Sequence, residues 1–185
     1  LLDDVYTKRL PKNMLHAAQK GYAYFNIETG NLREAQGWVE MAFETAPNRE
    51  DRVRLAYINA QLLAKLGMGY ESALAYEKVL ELHPSNYDIT FSAQIKRAEN
   101  FDVYMEDISI IEKELRGMLK DDKNISYRDQ IYYVWALKEL DLEHYPEGET
   151  LLRNSISSST NNQKQKGKSF LKLAEVEFDF REFVL

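Results

Sequence analysis

Three histidines, His16, His83 and His144, are the side chains in this sequence best suited to hold a metal or move a proton near neutral pH. None has a second histidine three or four residues away, the spacing that sets two ligands on one helical face. They read as surface or helix-end residues. The carboxylate pairs Glu112/Glu114, Asp121/Asp122 and Glu175/Glu177 are adjacent or two apart. On a helix such neighbours point away from each other, so they read as solvated faces and not as an acid–base pair. Gly67-Met68-Gly69 lacks the lysine and hydroxyl residue that complete a phosphate loop, and no nucleophile signature occurs. With no cysteine, thiolate chemistry, disulfides and sulfur-ligated metals are excluded. The expectation is a protein that is not an enzyme, with no catalytic residue, no cofactor and no metal.

What the chain does repeat is a packing pattern. Gly30, Ala35, Val39, Ala42 and Pro47 recur 37 residues later as Gly67, Ser72, Tyr76, Val79 and Pro84. The three middle positions fall on one side of a helix. Small residues there let a second helix approach closely. Glycine supplies a positive-φ turn before the helix, and proline ends it. Such a hairpin cannot bury its apolar face alone, so stacked copies are implied. The spacing resembles the second half of a tetratricopeptide (TPR) motif.

Apolar periodicity predicts helices over 12–28, 32–46, 50–66, 70–83, 86–99, 104–120, 126–140 and 146–158, with the start of another after 161. Their inward residues are Leu15, Ala18, Tyr22 and Phe25 in the first and Val53, Ala56, Ala60 and Leu63 in the third. In the fourth hairpin Gly148, Leu152 and Ser155 refill the contact positions, and Phe170, Leu173, Ala174 and Phe178 face inward on the last helix. The link Asn100–Val103 lacks a turn glycine. Asn48 or Asp51, and Ser85 or Asn86, are candidate helix caps. The expected fold is all-α, a TPR-like α-solenoid of about four and a half hairpins in a right-handed superhelix. The hairpins span 12–47, 50–84, 86–120, 126–158 and 161–185 of one domain covering residues 1–185. The opening LLDDVYTKR reads as a helix end, and REFVL closes part-way through a pattern, as in a segment of a longer protein.

The net charge of −6 argues against broad nucleic-acid or acidic-lipid binding, and no run of 18 apolar residues exists to span a membrane. Lys164, Lys166, Lys168 and Lys172 form a local cationic run that reads as a solubilising helix start. In TPR arrays the first helix of each hairpin lines an inner groove. Counting along those helices makes Lys20, Tyr24, Arg54, Tyr57, Gln61, Lys96, Gln130, Tyr133 and Leu171 candidates for partner binding. Tyrosine and arginine commonly anchor interfaces, and the chain has 12 tyrosines. Many of these tyrosines can equally pack between helices. The partner expected is another protein, with no nucleic acid and no small-molecule substrate.

The later half carries a more particular resemblance. GMLKDDKN (117–124), SYRDQIYYVWALKEL (126–140) and SISSSTNNQKQKGKSFLKLAEVEF (155–178) resemble the PorW/SprE family of periplasmic TPR lipoproteins of type IX secretion and gliding motility. The matching residues include Lys120, Asp121, Asp129, Gln130, Ile131, Tyr132, Tyr133, Ser159, Thr160, Asn161, Asn162, Gln165 and Lys166. Gly67-Met68-Gly69 and His144-Tyr145-Pro146 depart from the family's Gly-Asp turns. The resemblance implies a non-enzymatic scaffold, anchored in the outer membrane by a lipid outside this segment and facing the periplasm. It would link motor and translocon components of the secretion machinery. The alternatives are a generic TPR peptide-binding adaptor and a cell-wall-associated module. A carboxylate-gripping adaptor would draw charge from Lys20, Arg54 and Lys96 and amides from Asn26 and Asn59.

Overall fold

The computed structural model of the chain describes residues 10–182. The expected helix end over 1–9 and the closing pattern at 183–185 lie outside the described residues. The chain divides into two compact units, one ending at Asn100 and the other starting at Phe101, within the link that lacks a turn glycine.

The N-terminal unit contains α1 (Lys12–Glu28), α2 (Leu32–Thr45), α3 (Arg49–Lys65), α4 (Gly69–Glu81) and α5 (Tyr87–Asn100). The repeated positions are its core. Ala35, Val39 and Ala42, and Ser72, Tyr76 and Val79, are at most 1% exposed. Helix α3 serves two clusters. Leu55 and Leu62 join Ala23, Ala35, Val39 and Ala42, while Val53, Ala56 and Ala60 join Tyr76, Val79 and Ala93. Asn48 caps α3, accepting from the Asp51 amide at 2.9 Å. Asn86 caps α5, accepting from the Asp88 amide at 2.8 Å.

The C-terminal unit contains α6 (Ile108–Lys120), a 3₁₀ turn (Asp122–Tyr127), α7 (Arg128–Asp141), α8 (Tyr145–Ser158) and α9 (Gln163–Glu182). Helix α6 begins four residues later than its apolar pattern suggests. Asp102 Oδ1 accepts from the Tyr104 amide and Asp107 caps the helix through the Ser109 amide, each at 2.9 Å. These side-chain bonds compete with helical ones and hold 101–107 as a turn. Gly148, Leu152 and Ser155 are buried, as the pattern requires. A Cβ on Gly148 would lie 2.6 Å from Leu140 Cδ2, so the glycine permits that crossing.

Three interhelix turns share one geometry. The amides of Asn31, Met68 and His144 bond five residues back, to Asn26, Leu63 and Glu139, at 2.8, 3.0 and 2.9 Å. In the first two a glycine takes the left-handed position, Gly30 at φ 77° and Gly67 at φ 75°. In the third Glu143 takes it, at φ 62°. This is the helix-ending arrangement in which glycine is favoured. Glu143 therefore occupies the glycine position of a third copy, with Gly148, Leu152 and Ser155 at the same offsets as Ala35, Val39 and Ala42.

Two predicted faces are corrected. On α1, Tyr22 is 40% and Phe25 59% exposed, while His16, Gln19, Ala23 and Asn26 are buried. His16 is thus not a surface histidine: its Nδ1 donates to the Ala42 carbonyl at 3.1 Å. Thr45 donates to Gln19 Oε1 at 2.6 Å, and Asn26 donates to the Tyr22 carbonyl at 2.8 Å. Those bonds satisfy Gln19, Asn26 and one ring nitrogen of His16, which lowers the cost of their burial, while His16 Nε2 is buried without a partner. On α9, Phe170 and Phe178 are exposed, and Gln165, Ser169, Leu173 and Val176 pack inward.

Candidate interaction surface

In the N-terminal unit the first helices are joined to one another by side chains. Lys20 on α1 pairs with Asp51 on α3 at 3.4 Å. Tyr57 on α3 shares a 2.5 Å hydrogen bond with Ser92 on α5. Where α3 and α5 begin, a pocket of about 280 Å³ is lined by residues that include Arg49, Arg54, Tyr57, Ile58, Pro84 and Asn86. Both arginines are exposed, and neither has a carboxylate partner among the described residues. Glu50 also lines the pocket, so the surface offers two cations against one carboxylate beside an aromatic wall. It suits an anionic or hydrogen-bond-accepting group on a partner.

Of the nine candidate residues, the pocket unites Arg54 and Tyr57. Tyr57 is half-buried, stands edge-on to Tyr76 at 5.5 Å between ring centres, and packs on the second core cluster. Burial, with Tyr57 and Glu99 adding to it, drives the Tyr76 hydroxyl above the ordinary tyrosine range, so it stays neutral. Gln61 is exposed on the same helix, and Tyr24 on α1 is 65% exposed. Lys20 is engaged with Asp51, and Lys96 with Glu99 at 2.6 Å, so each would have to leave a carboxylate to meet a partner.

In the C-terminal unit Leu171 is 65% exposed on α9. Tyr133 is half-buried and packs on the cluster of Ala136, Leu152, Leu173 and Val176, so part of it is core. Gln130 is half-buried, and its amide donates to Asp129 Oδ1 at 2.9 Å. Lys164 and Lys168 are exposed at the start of α9, and Lys172 pairs with Glu175 at 3.2 Å.

Four of the residues that carry the family resemblance, Asp129, Ser159, Asn162 and Gln165, build a helix junction. Asp129 is 1% exposed, and its Oδ2 accepts from Ser159 Oγ at 2.8 Å. Ser155 Oγ donates to the Asp129 carbonyl at 2.6 Å and lies 2.8 Å from Ser169 Oγ. Asn162 Oδ1 accepts from the Gln165 amide at 3.1 Å, and Gln165 Nε2 donates to Ser169 Oγ at 3.2 Å. The string 155–169 thus closes α7, α8 and α9 on each other.

A second polar cluster has no counterpart in the sequence reading. Glu139, on α7, is buried. It accepts from Trp135 Nε1 at 2.8 Å and lies 2.9 Å from His144 Nδ1. Glu112 on α6, expected to be fully solvated, meets it. Burial and the Glu139 carboxylate push the Glu112 carboxyl above its usual range. Burial opposes the charge on Glu139, but hydrogen bonds from His144, Trp135 and Glu112 outweigh it and hold that group below its usual range. Arg116 stacks over Trp135 at 4.4 Å. The i, i+1 and i, i+2 rule for carboxylates holds along one helix; this pair forms between two.

Among the described residues no group of three or more His, Asp or Glu side chains is placed to hold a metal ion. No described helix is long and apolar enough to cross a membrane.

No family model matches the sequence, and no curated protein does. Among solved structures the chain is similar to the "MamA RS-1 ArsTM double mutant", with a TM-score of 0.59 at 15% identity, over 89% of this chain and 95% of that one. Likeness at that identity bears on fold alone. Among the described residues the chain has an all-α, TPR-like helical fold.

Proposed function

We propose that this chain is a non-enzymatic protein-binding scaffold that holds its partner along the first helices of the N-terminal unit. The observation that carries this reading is the pocket at the start of α3, where Arg49 and Arg54 stand unpaired beside Tyr57. Tyr24 and Gln61 add exposed contact area in the same unit, Tyr24 being of a type that anchors interfaces. Lys20 and Lys96 are engaged with carboxylates, and Tyr133 packs in part on the core.

The finer reading is a component of type IX secretion and gliding motility, in the periplasm and tethered to the outer membrane, linking motor and translocon. It is supported by the resemblance at 117–178. The test is capture on this chain from type IX-secreting cells. Motor or translocon proteins are expected in the bound fraction, and Arg54→Glu should lower their recovery about tenfold. Recovery unchanged by Arg54→Glu removes the pocket from the interface.

A second reading, a module gripping peptide carboxylates, is favoured by the same unpaired arginines. Capture of short tail peptides alone would support it and sink the secretion reading.

A further inference from the structure

Another face of the N-terminal unit carries a separate cavity. It lies between α2 and α4, over α3, with a volume of about 580 Å³. Leu55, Ala56 and Leu63 line it from α3 and are buried. Met41 and Leu74 also line it and are 42% and 46% exposed. Three carboxylates, Glu40, Glu44 and Glu71, complete the lining, and none has an ion-pair partner among the described residues. The single cation on the lining, Lys78, is turned onto the Phe43 ring at 5.9 Å. Asn59 Oδ1, on the same wall, is shielded from water and has no hydrogen-bond partner.

We propose that this cavity seats an amphipathic helix of a partner protein, with leucine-sized side chains in the cavity and lysine or arginine beside them. An apolar trough between two helices, floored by a third, has the shape that receives a helix by its apolar face. The lining supplies three negative charges against one positive, so a basic segment is attracted and an acidic one repelled. Met41 and Leu74 keep apolar area in water that an apolar side chain would cover. This surface is distinct from the arginine pocket and takes a partner of opposite charge, so it stands whether or not the secretion reading does.

The test uses the whole chain and two fluorescein-labelled synthetic helices, one of leucine and lysine and its leucine–glutamate counterpart, with binding read by anisotropy. The leucine–lysine helix should bind and weaken as salt rises, and the leucine–glutamate helix should not bind. Met41→Lys with Leu74→Lys should weaken binding about tenfold or more. The Glu40→Gln, Glu44→Gln, Glu71→Gln variant should weaken it severalfold and flatten the salt dependence. The charge-matched variant Asp122→Asn, Glu147→Gln, Asp179→Asn, in the other unit, should bind as the parent does. Equal loss in that control makes the attraction one of net charge and overturns the site. Binding of the acidic helix, or binding untouched by both cavity variants, overturns it too. If sedimentation shows that the unmodified chain self-associates, and the cavity variants abolish this, the occupant is a second copy and the partner assignment fails. The glutamine variant keeps the test decisive should the lysine pair fail to fold.

Discussion

The third contact position is filled in opposite ways in the two units. In the N-terminal unit the third position is Ala42 or Val79, fully buried among apolar neighbours. In the C-terminal unit it is Ser155, equally buried, which bonds to the Asp129 carbonyl and meets Ser169. The N-terminal junctions are held mainly by area and close approach, with isolated buried bonds from His16 and Ser72, and the C-terminal one by linked hydrogen bonds around a buried carboxylate. An apolar junction is sensitive to volume and indifferent to chemistry. A buried polar junction is sensitive to chemistry, because each lost partner leaves another group unsatisfied.

The largest expected effect comes from volume. Ala42→Trp has no room at a fully buried position whose own carbonyl receives His16. It should cost about 3 kcal/mol or more in urea unfolding. An unchanged midpoint would show that α1, α2 and α3 do not meet there. Next is chemistry. Asp129→Ala removes the acceptor for Ser159 Oγ and the Gln130 amide and should cost about 1–3 kcal/mol. Ser155→Ala should cost about 1 kcal/mol. If both are as mild as an exposed substitution, the contrast between the junctions fails.

The turns sharpen the contrast at lower amplitude. Glu143 holds the left-handed conformation that glycine takes at Gly30 and Gly67. Relief of that strain in Glu143→Gly, less the entropy glycine adds to the unfolded chain, should stabilise by about 0.5–1 kcal/mol. Gly67→Ala should lose about 1 kcal/mol by the same logic. Thermal melts that rank these two variants the other way would show that turn strain is not what distinguishes the copies.

That third turn also shows where the sequence could be read and where it could not. The contact positions were legible because small residues recur at fixed spacing, and steric closeness admits few alternatives. The sequence points to His144-Tyr145-Pro146 for the turn itself, because glutamate rarely marks a left-handed residue. The faces of α1 and α9 were read from their large apolar residues, yet Tyr22, Phe25, Phe170 and Phe178 are exposed. His16, Gln19, Gln165 and Ser169 lie inside, bonded to partners on another helix or a turn away. Hydropathy cannot anticipate such partners, because they depend on which helix arrives opposite. The binding candidates were harder still. Arg54 and Lys96 look alike along a helix, and only the neighbouring Glu99 makes one of them engaged.

The Glu112–Glu139 pair gives the smallest effect and the most specific one, because among the described residues such a pair is resolved in the C-terminal unit alone. Glu112 is raised, so its contribution is complete below the ordinary glutamate value and is lost as pH climbs through its raised folded value. Glu139 is lowered, so its contribution is present above the ordinary value and is lost as pH falls through its lowered one. The pair is best satisfied between those limits, with one proton shared and Glu112 donating it. Glu112→Gln supplies a permanent donor in place of that proton. Urea midpoints followed from the acid range upward should therefore separate, with the parent losing ground above the ordinary glutamate value and the variant keeping it. On the acid side both should fall together, since Glu139 still titrates in each. Arg116 and His144 both favour the ionised form of Glu112, so they narrow the window without reversing its sign. Parallel curves across the whole range would mean that Glu112 ionises without consequence for the fold.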